Sequence, residues 1–90
     1  MIAILFDVIG MSEEKFAEVH ARLGAAGQAA PDGRVDHIGY LVGDQVKVVD
    51  VWESAEKFEA FGAVLIPILH ELGIDPGEPQ ISPVALHQVG

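Results

Sequence analysis

Residues 46–73, VKVVDVWESAEKFEAFGAVLIPILHELG, run from a strand directly into a helix, and that junction limits the possible folds more than any other stretch. The first eight residues are mostly β-branched or aromatic, as a pleated ribbon favours. Ser54 then stands where a side-chain oxygen can accept from the free amides of a first helical turn. Glu56 adds negative charge near the positive end of the helix dipole. Phe58, Phe61, Leu65, Leu69 and Leu72 follow at helical spacing, so one side of the helix is apolar. Gly73 stops it, and Pro67 inside the pattern is expected to kink or split it, because proline cannot donate to the carbonyl four residues back.

The same phrase occurs earlier. Asp7-Val8-Ile9-Gly10-Met11-Ser12-Glu13-Glu14-Lys15-Phe16 matches Asp50-Val51-Trp52-Glu53-Ser54-Ala55-Glu56-Lys57-Phe58 with one extra residue before the serine. Each copy reads as strand, capping serine, acidic turn and a helix whose first core residue is phenylalanine, and each helix ends in Leu-Gly. Two copies of one supersecondary unit explain this. The remaining chain supplies a strand over Ile2–Ile9, a helix over Ser12–Leu23, a Gly/Ala/Pro linker over Gly24–Arg34 and a strand over Val35–Val42. Gly43-Asp44 then makes a two-residue hairpin turn. A last strand over Ile81–Val89 is pushed to an edge or a bulge by Pro83. The order βαββαβ predicts a single ferredoxin-like α+β domain over residues 1–90, a four-stranded antiparallel sheet with both helices on one face.

Alternation sorts the strand residues into two sets. One holds Ile4, Phe6, Val8, Ile38, Tyr40, Val49 and Val51. The other holds Ala3, Leu5, Ile9, Gly39, Leu41, Val46, Val48 and Trp52, interrupted by Asp7, His37 and Asp50. Both are largely apolar, yet helices cover only one face. With half of all residues hydrophobic in a 90-residue chain, the second face calls for the same face of a second subunit, giving a homodimer with its sheets face to face. A net charge of −9, from 14 acidic and 5 basic residues, excludes a nucleic-acid backbone and an anionic membrane as partners. There is no cysteine, hence no disulfide framework and no thiolate chemistry. Asp7 within the first apolar run speaks against a signal peptide, no apolar stretch reaches the ~20 residues of a bilayer span, and the expected setting is cytoplasmic.

The hairpin places His37 opposite Asp50 if Val42 pairs with Gln45. Such neighbours reach hydrogen-bonding distance. The pair reads either as a general base with its tautomer set by a carboxylate, or as a satisfied polar contact at the dimer interface that sets register. Trp52, on the parity of Asp50, is a core or interface anchor or a pocket wall. Tyr40 is expected on the opposite face, beneath the helices, with its hydroxyl near a cavity. His70 follows the Pro67 kink on the weaker face of the second helix and is a candidate ligand or acid–base group. His20 and His87 have no acidic or histidine neighbour at metal-ligand spacing, and neither a metal nor a cofactor is expected.

On the phrase Val51-Trp52-Glu53-Ser54 with Glu56, Phe58 and Phe61, and on the βαββαβ order over nearly the whole chain, the sequence resembles the dimeric α/β-barrel superfamily and, within it, the antibiotic biosynthesis monooxygenase-like proteins. The resemblance implies a pocket between sheet and helices that binds a small hydrophobic or aromatic metabolite, with His37, Asp50, Tyr40, Trp52, Phe61 and His70 as its candidate residues. It implies either cofactor-free oxygenation or isomerisation, or a non-catalytic dimerisation or ligand-sensing module. Oxygenases of anthrone-like substrates use Asn, Trp and Tyr; Trp52 and Tyr40 are present and asparagine is absent. Haem-degrading relatives carry a second tryptophan about where Phe61 stands and a histidine ligand about one residue from His70.

Overall fold

The computed structural model describes residues 1–90 and orders them as β1 (Ile2–Phe6), α1 (Glu13–Ala25), β2 (Arg34–Val42), β3 (Gln45–Trp52), α2 (Ala55–Glu71) and β4 (Gln80–Pro83). The strands form one antiparallel sheet in the order β2-β3-β1-β4, with both helices on one face: the ferredoxin-like α+β fold. Both capping serines act as their sequence context demands. Ser12 Oγ accepts from the Lys15 amide and Ser54 Oγ from the Lys57 amide, each at 3.2 Å. Past the end of α2, Gly73 has φ of +71°, the left-handed conformation that glycine enters without strain. No helix is long and apolar enough to cross a membrane.

The β2–β3 hairpin turns at Gly43-Asp44 with Val42 opposite Gln45. Only the first turn residue, Gly43 at φ +63°, has positive φ, the signature of a type II′ turn. Register then runs undisturbed to His37 opposite Asp50.

Three expectations are corrected. Pro67 does not split α2, which runs unbroken to Glu71. Proline leaves the Ala63 carbonyl without its helical donor, and both residues lie on the exposed side, where water can replace the bond. β4 ends at Pro83 rather than continuing to Val89; its partner strand begins at Ile2, opposite Pro83. The third correction concerns β1, which joins the sheet one residue out of the assumed parity. Ile4 lies opposite Asp50 and Phe6 opposite Val48. Ile2, Ile4, Phe6 and Val8 therefore share a face with Val46, Val48, Asp50, Trp52 and His37, and that face lies beneath the helices. Ala3, Leu5, Ile38, Tyr40, Val49 and Val51 share the open one.

The core is the layer between sheet and helices. Ile4, Phe6, Val8, Val46, Val48 and Trp52 meet Val19 and Leu23 of α1 and Phe58, Phe61, Leu65 and Leu69 of α2, all buried. The open face has no such cover: Leu5, Ile38, Tyr40 and Val42 are 39–55% exposed.

Candidate functional site

In the middle of the apolar layer sits one buried carboxylate. Asp50 is only 2% exposed, and a charge so deep requires donors. It has two. Trp52, two residues along the strand and on the same face, donates its indole N–H to Oδ2 at 3.1 Å. His37, delivered by the hairpin register, lies with Nδ1 at 2.6 Å from Oδ1. Trp52 is itself fully buried and held edge-on against Phe58, with Phe61 tilted on its other flank. The donor to Asp50 thus has little freedom to leave.

His37 reaches further. Its Nε2 lies 2.9 Å from Nε2 of His20 on α1. The His20 Nδ1 lies 2.9 Å from the Phe16 carbonyl one turn earlier, and its ring packs edge-on against Phe16. Close approach of α1 here depends on Gly39. A Cβ at that position would meet the Phe16 ring at 2.7 Å, so only glycine lets the ring rest on the strand.

Donor counting assigns the protons. A carbonyl can only accept, so His20 Nδ1 carries a hydrogen; a carboxylate accepts likewise, so His37 Nδ1 carries one too. If these were the only protons, two bare Nε2 lone pairs would face each other at 2.9 Å. A third proton between them removes the conflict. The pair then bears one positive charge, and the Asp50 carboxylate neutralises it. The hydrogen-bond geometry is fully satisfied by one proton between the two imidazoles above the Asp50 carboxylate. No group of three or more His, Cys, Asp or Glu side chains is placed to hold a metal ion.

This cluster opens onto a pocket of about 50 Å³ between the sheet and the helices. Phe16, Val19, Phe61 and Leu65 form part of its apolar wall, while His20, Arg34, His37 and Asp50 form its polar end.

No family model and no curated protein matches the chain. Two crystal structures are similar to it over the full length of both chains. One, from Chloroflexus aurantiacus J-10-fl, is provisionally named an antibiotic biosynthesis monooxygenase; it is 17% identical, with a TM-score of 0.63. The other, from Deinococcus radiodurans, carries the same provisional name and is also 17% identical, with a TM-score of 0.57. The chain has the antibiotic biosynthesis monooxygenase-like fold.

Within that monooxygenase-like fold, the candidate residues separate. His37, Asp50 and Trp52 come together beneath the helices, and Phe61 lines the same pocket. The interface setting considered for the His37–Asp50 pair does not apply, because β2 and β3 turn those two side chains toward the helices. Tyr40 lies on the open face, opposite Lys47, not under the helices. His70 is exposed near the end of α2 and lines no part of the pocket.

Two site residues escaped the sequence reading. His20 stands four residues after Phe16 and three before Leu23, so helical spacing alone would have put it on the buried stripe. Arg34 carried no such signal. His87 also has a partner after all: it bonds Asp36, tying the C-terminal segment to the strand at the far edge of the sheet.

Proposed function

We propose that the chain binds a small hydrophobic or aromatic metabolite in the pocket beneath its helices and moves a proton on it without a prosthetic group. The observation that carries this reading is the His20–His37 pair, anchored by buried Asp50 and opening onto an apolar wall. With the shared proton passed to solvent water, an Nε2 lone pair takes H+ from an acidic C–H of the ligand, and the C–H bonding electrons stay on the ligand as a carbanion, a transfer that apolar surroundings favour. Returning the proton to a different atom isomerises the substrate. If dioxygen reaches the resulting carbanion, a CH2 group and O2 give a carbonyl and water, a monooxygenation such as the neighbours' names state.

The test is deuterium exchange and oxygen uptake with acetylacetone and methylhydroquinone. Wild-type protein is expected to accelerate one of them, with the acceleration lost in His37→Ala. Equal rates for the two proteins would overturn the reading.

The small pocket supports a second reading. About 50 Å³ accommodates a few waters and falls short of the roughly 300–1,000 Å³ typical of sites that engulf drug-sized ligands. A non-catalytic dimerisation module needs no ligand space, and it would show neither exchange nor oxygen uptake.

The same proposal includes a homodimer through the open face. The row of Leu5, Ile38, Tyr40 and Val42 supports it, as do the partly exposed Val49 and Val51 between them.

A further inference from the structure

One charged group at the pocket has no part in the proton relay. β2 is not a uniform strand: Arg34 pairs with Trp52 and Asp36 with Val51, so Val35 is the extra residue of a β-bulge. In an unbroken strand, Arg34 would share the open face with Asp36. The bulge turns it to the other side, onto the face of His37, Asp50 and Trp52, where it lines the pocket.

Once there, its guanidinium meets no acceptor. Of the other four cations, Arg22 pairs with Glu18 and Glu71, Lys47 with Asp7, and Lys57 with Asp32 and Glu53, while Lys15, which lines no part of the pocket, forms no ion pair. The Arg34 side chain makes neither a hydrogen bond nor an ion pair, in a chain with 14 carboxylates for 5 cations. Partial burial lowers its pKa, opposed by the Asp50 carboxylate, and an arginine remains a cation regardless. Asp50 is already occupied by His37 and Trp52. A planar fork of donors beside a proton relay, facing an apolar wall, lacks an anion.

We propose that Arg34 binds an oxyanion of the ligand, a carboxylate, enolate or phenolate oxygen, so that the pocket selects small apolar acids over their neutral isosteres. This rests on the pocket reading above and narrows it. Guanidinium would fix the oxygen by charge-assisted hydrogen bonds while the imidazole pair faces the acidic hydrogen, and negative charge developing on that oxygen would be stabilised where it forms.

Trp52 is the only tryptophan, so its indole N–H signal reports on the site without assignment. The experiment titrates isovalerate and benzoate against isovaleramide and benzamide, following that signal. Acids are expected to bind about tenfold tighter than amides. Arg34→Gln should abolish the preference by bringing acid affinity down to that of the amides in the same variant, and Arg34→Lys should restore only part of it, since a point charge lacks the fork. Equal affinities in the wild type, or a preference that survives Arg34→Gln, would overturn the role of Arg34 while the pocket reading stands. If neither acids nor amides perturb the signal, both fall. The acid–amide comparison in the wild type needs no variant, so a poorly folded substitution does not blunt the test.

Discussion

The two faces of this sheet come from alternate residues of the same strands and have opposite characters. The covered face is apolar and largely buried beneath the helices, yet holds a carboxylate, two imidazoles and a guanidinium around one small pocket. The open face has ordinary strand residues, Leu5, Ile38, Tyr40 and Val42, and leaves them in water. Burying polar groups is costly unless each is paired, so the covered face spends stability on a cluster that packing alone does not require. The open face does the reverse and withholds apolar area that burial would convert into stability. On the proposed function, the first carries the chemistry and the second the association.

The sharpest way to break that division is Asp50→Ala. It leaves the Trp52 indole N–H and the His37 Nδ1–H without their acceptor, and a loss of about 3–5 kcal/mol is expected in urea unfolding. Asp50→Asn should recover part of it, because the amide oxygen can still accept while the charge is gone. A loss below 1 kcal/mol for alanine would make the cluster incidental.

On the other face, Ile38→Glu places charge at the centre of the apolar row. Dimer association should weaken by about 2 kcal/mol, roughly thirtyfold, in sedimentation, with the tryptophan environment unchanged. A wild type that sediments as a monomer would refute the assignment directly.

His20→Ala separates packing from chemistry within the covered face. A half-buried hydrogen bond accounts for about 1 kcal/mol of stability, while proton exchange on a bound ligand should fall far more steeply. Proportionate losses in both would point to a structural role.

The smallest effect belongs to the periphery. Glu53, by its hydrogen bond, and Asp32 raise the Lys57 pKa above its ordinary value of 10.5. A raised folded-state pKa means that the contribution is complete below the unfolded-state value and vanishes as pH rises through the folded one. Lys57→Gln should therefore melt slightly below wild type at neutral pH and coincide with it in strong alkali, a barely measurable difference because the group is solvent-exposed.

What the residues revealed in advance depended on whether a constraint was local. The Gly43-Asp44 turn pins β2 to β3, so His37 opposite Asp50 followed from counting. The capping serines and Gly73 likewise act within a few residues of themselves. β1 was misassigned because it pairs with β3 across a helix and a hairpin, with no turn to set its register. IAILF is also apolar at both parities, so burial offered no choice. With β1 at the other parity, Tyr40 falls beneath the helices and the face of Asp50 stays undefined; the observed register reverses both. Arg34 was invisible for a similar reason: nothing in RVDH marks Val35 as an inserted residue, and without the bulge the arginine points the other way. His20 could have been placed on α1, but its partner lies 17 residues away on a strand, a contact that exists only once the helix has packed.

The claim on which the rest depends is that two imidazoles share one proton above a buried carboxylate. Long-range proton–nitrogen NMR of the histidine side chains tests it most directly. The account predicts protonated Nδ1 in both His20 and His37, both Nε2 resonances displaced toward the protonated range, and one proton slow to exchange with solvent. Two neutral rings with independent, rapidly exchanging protons, or a His37 whose Nδ1 carries none, would contradict it.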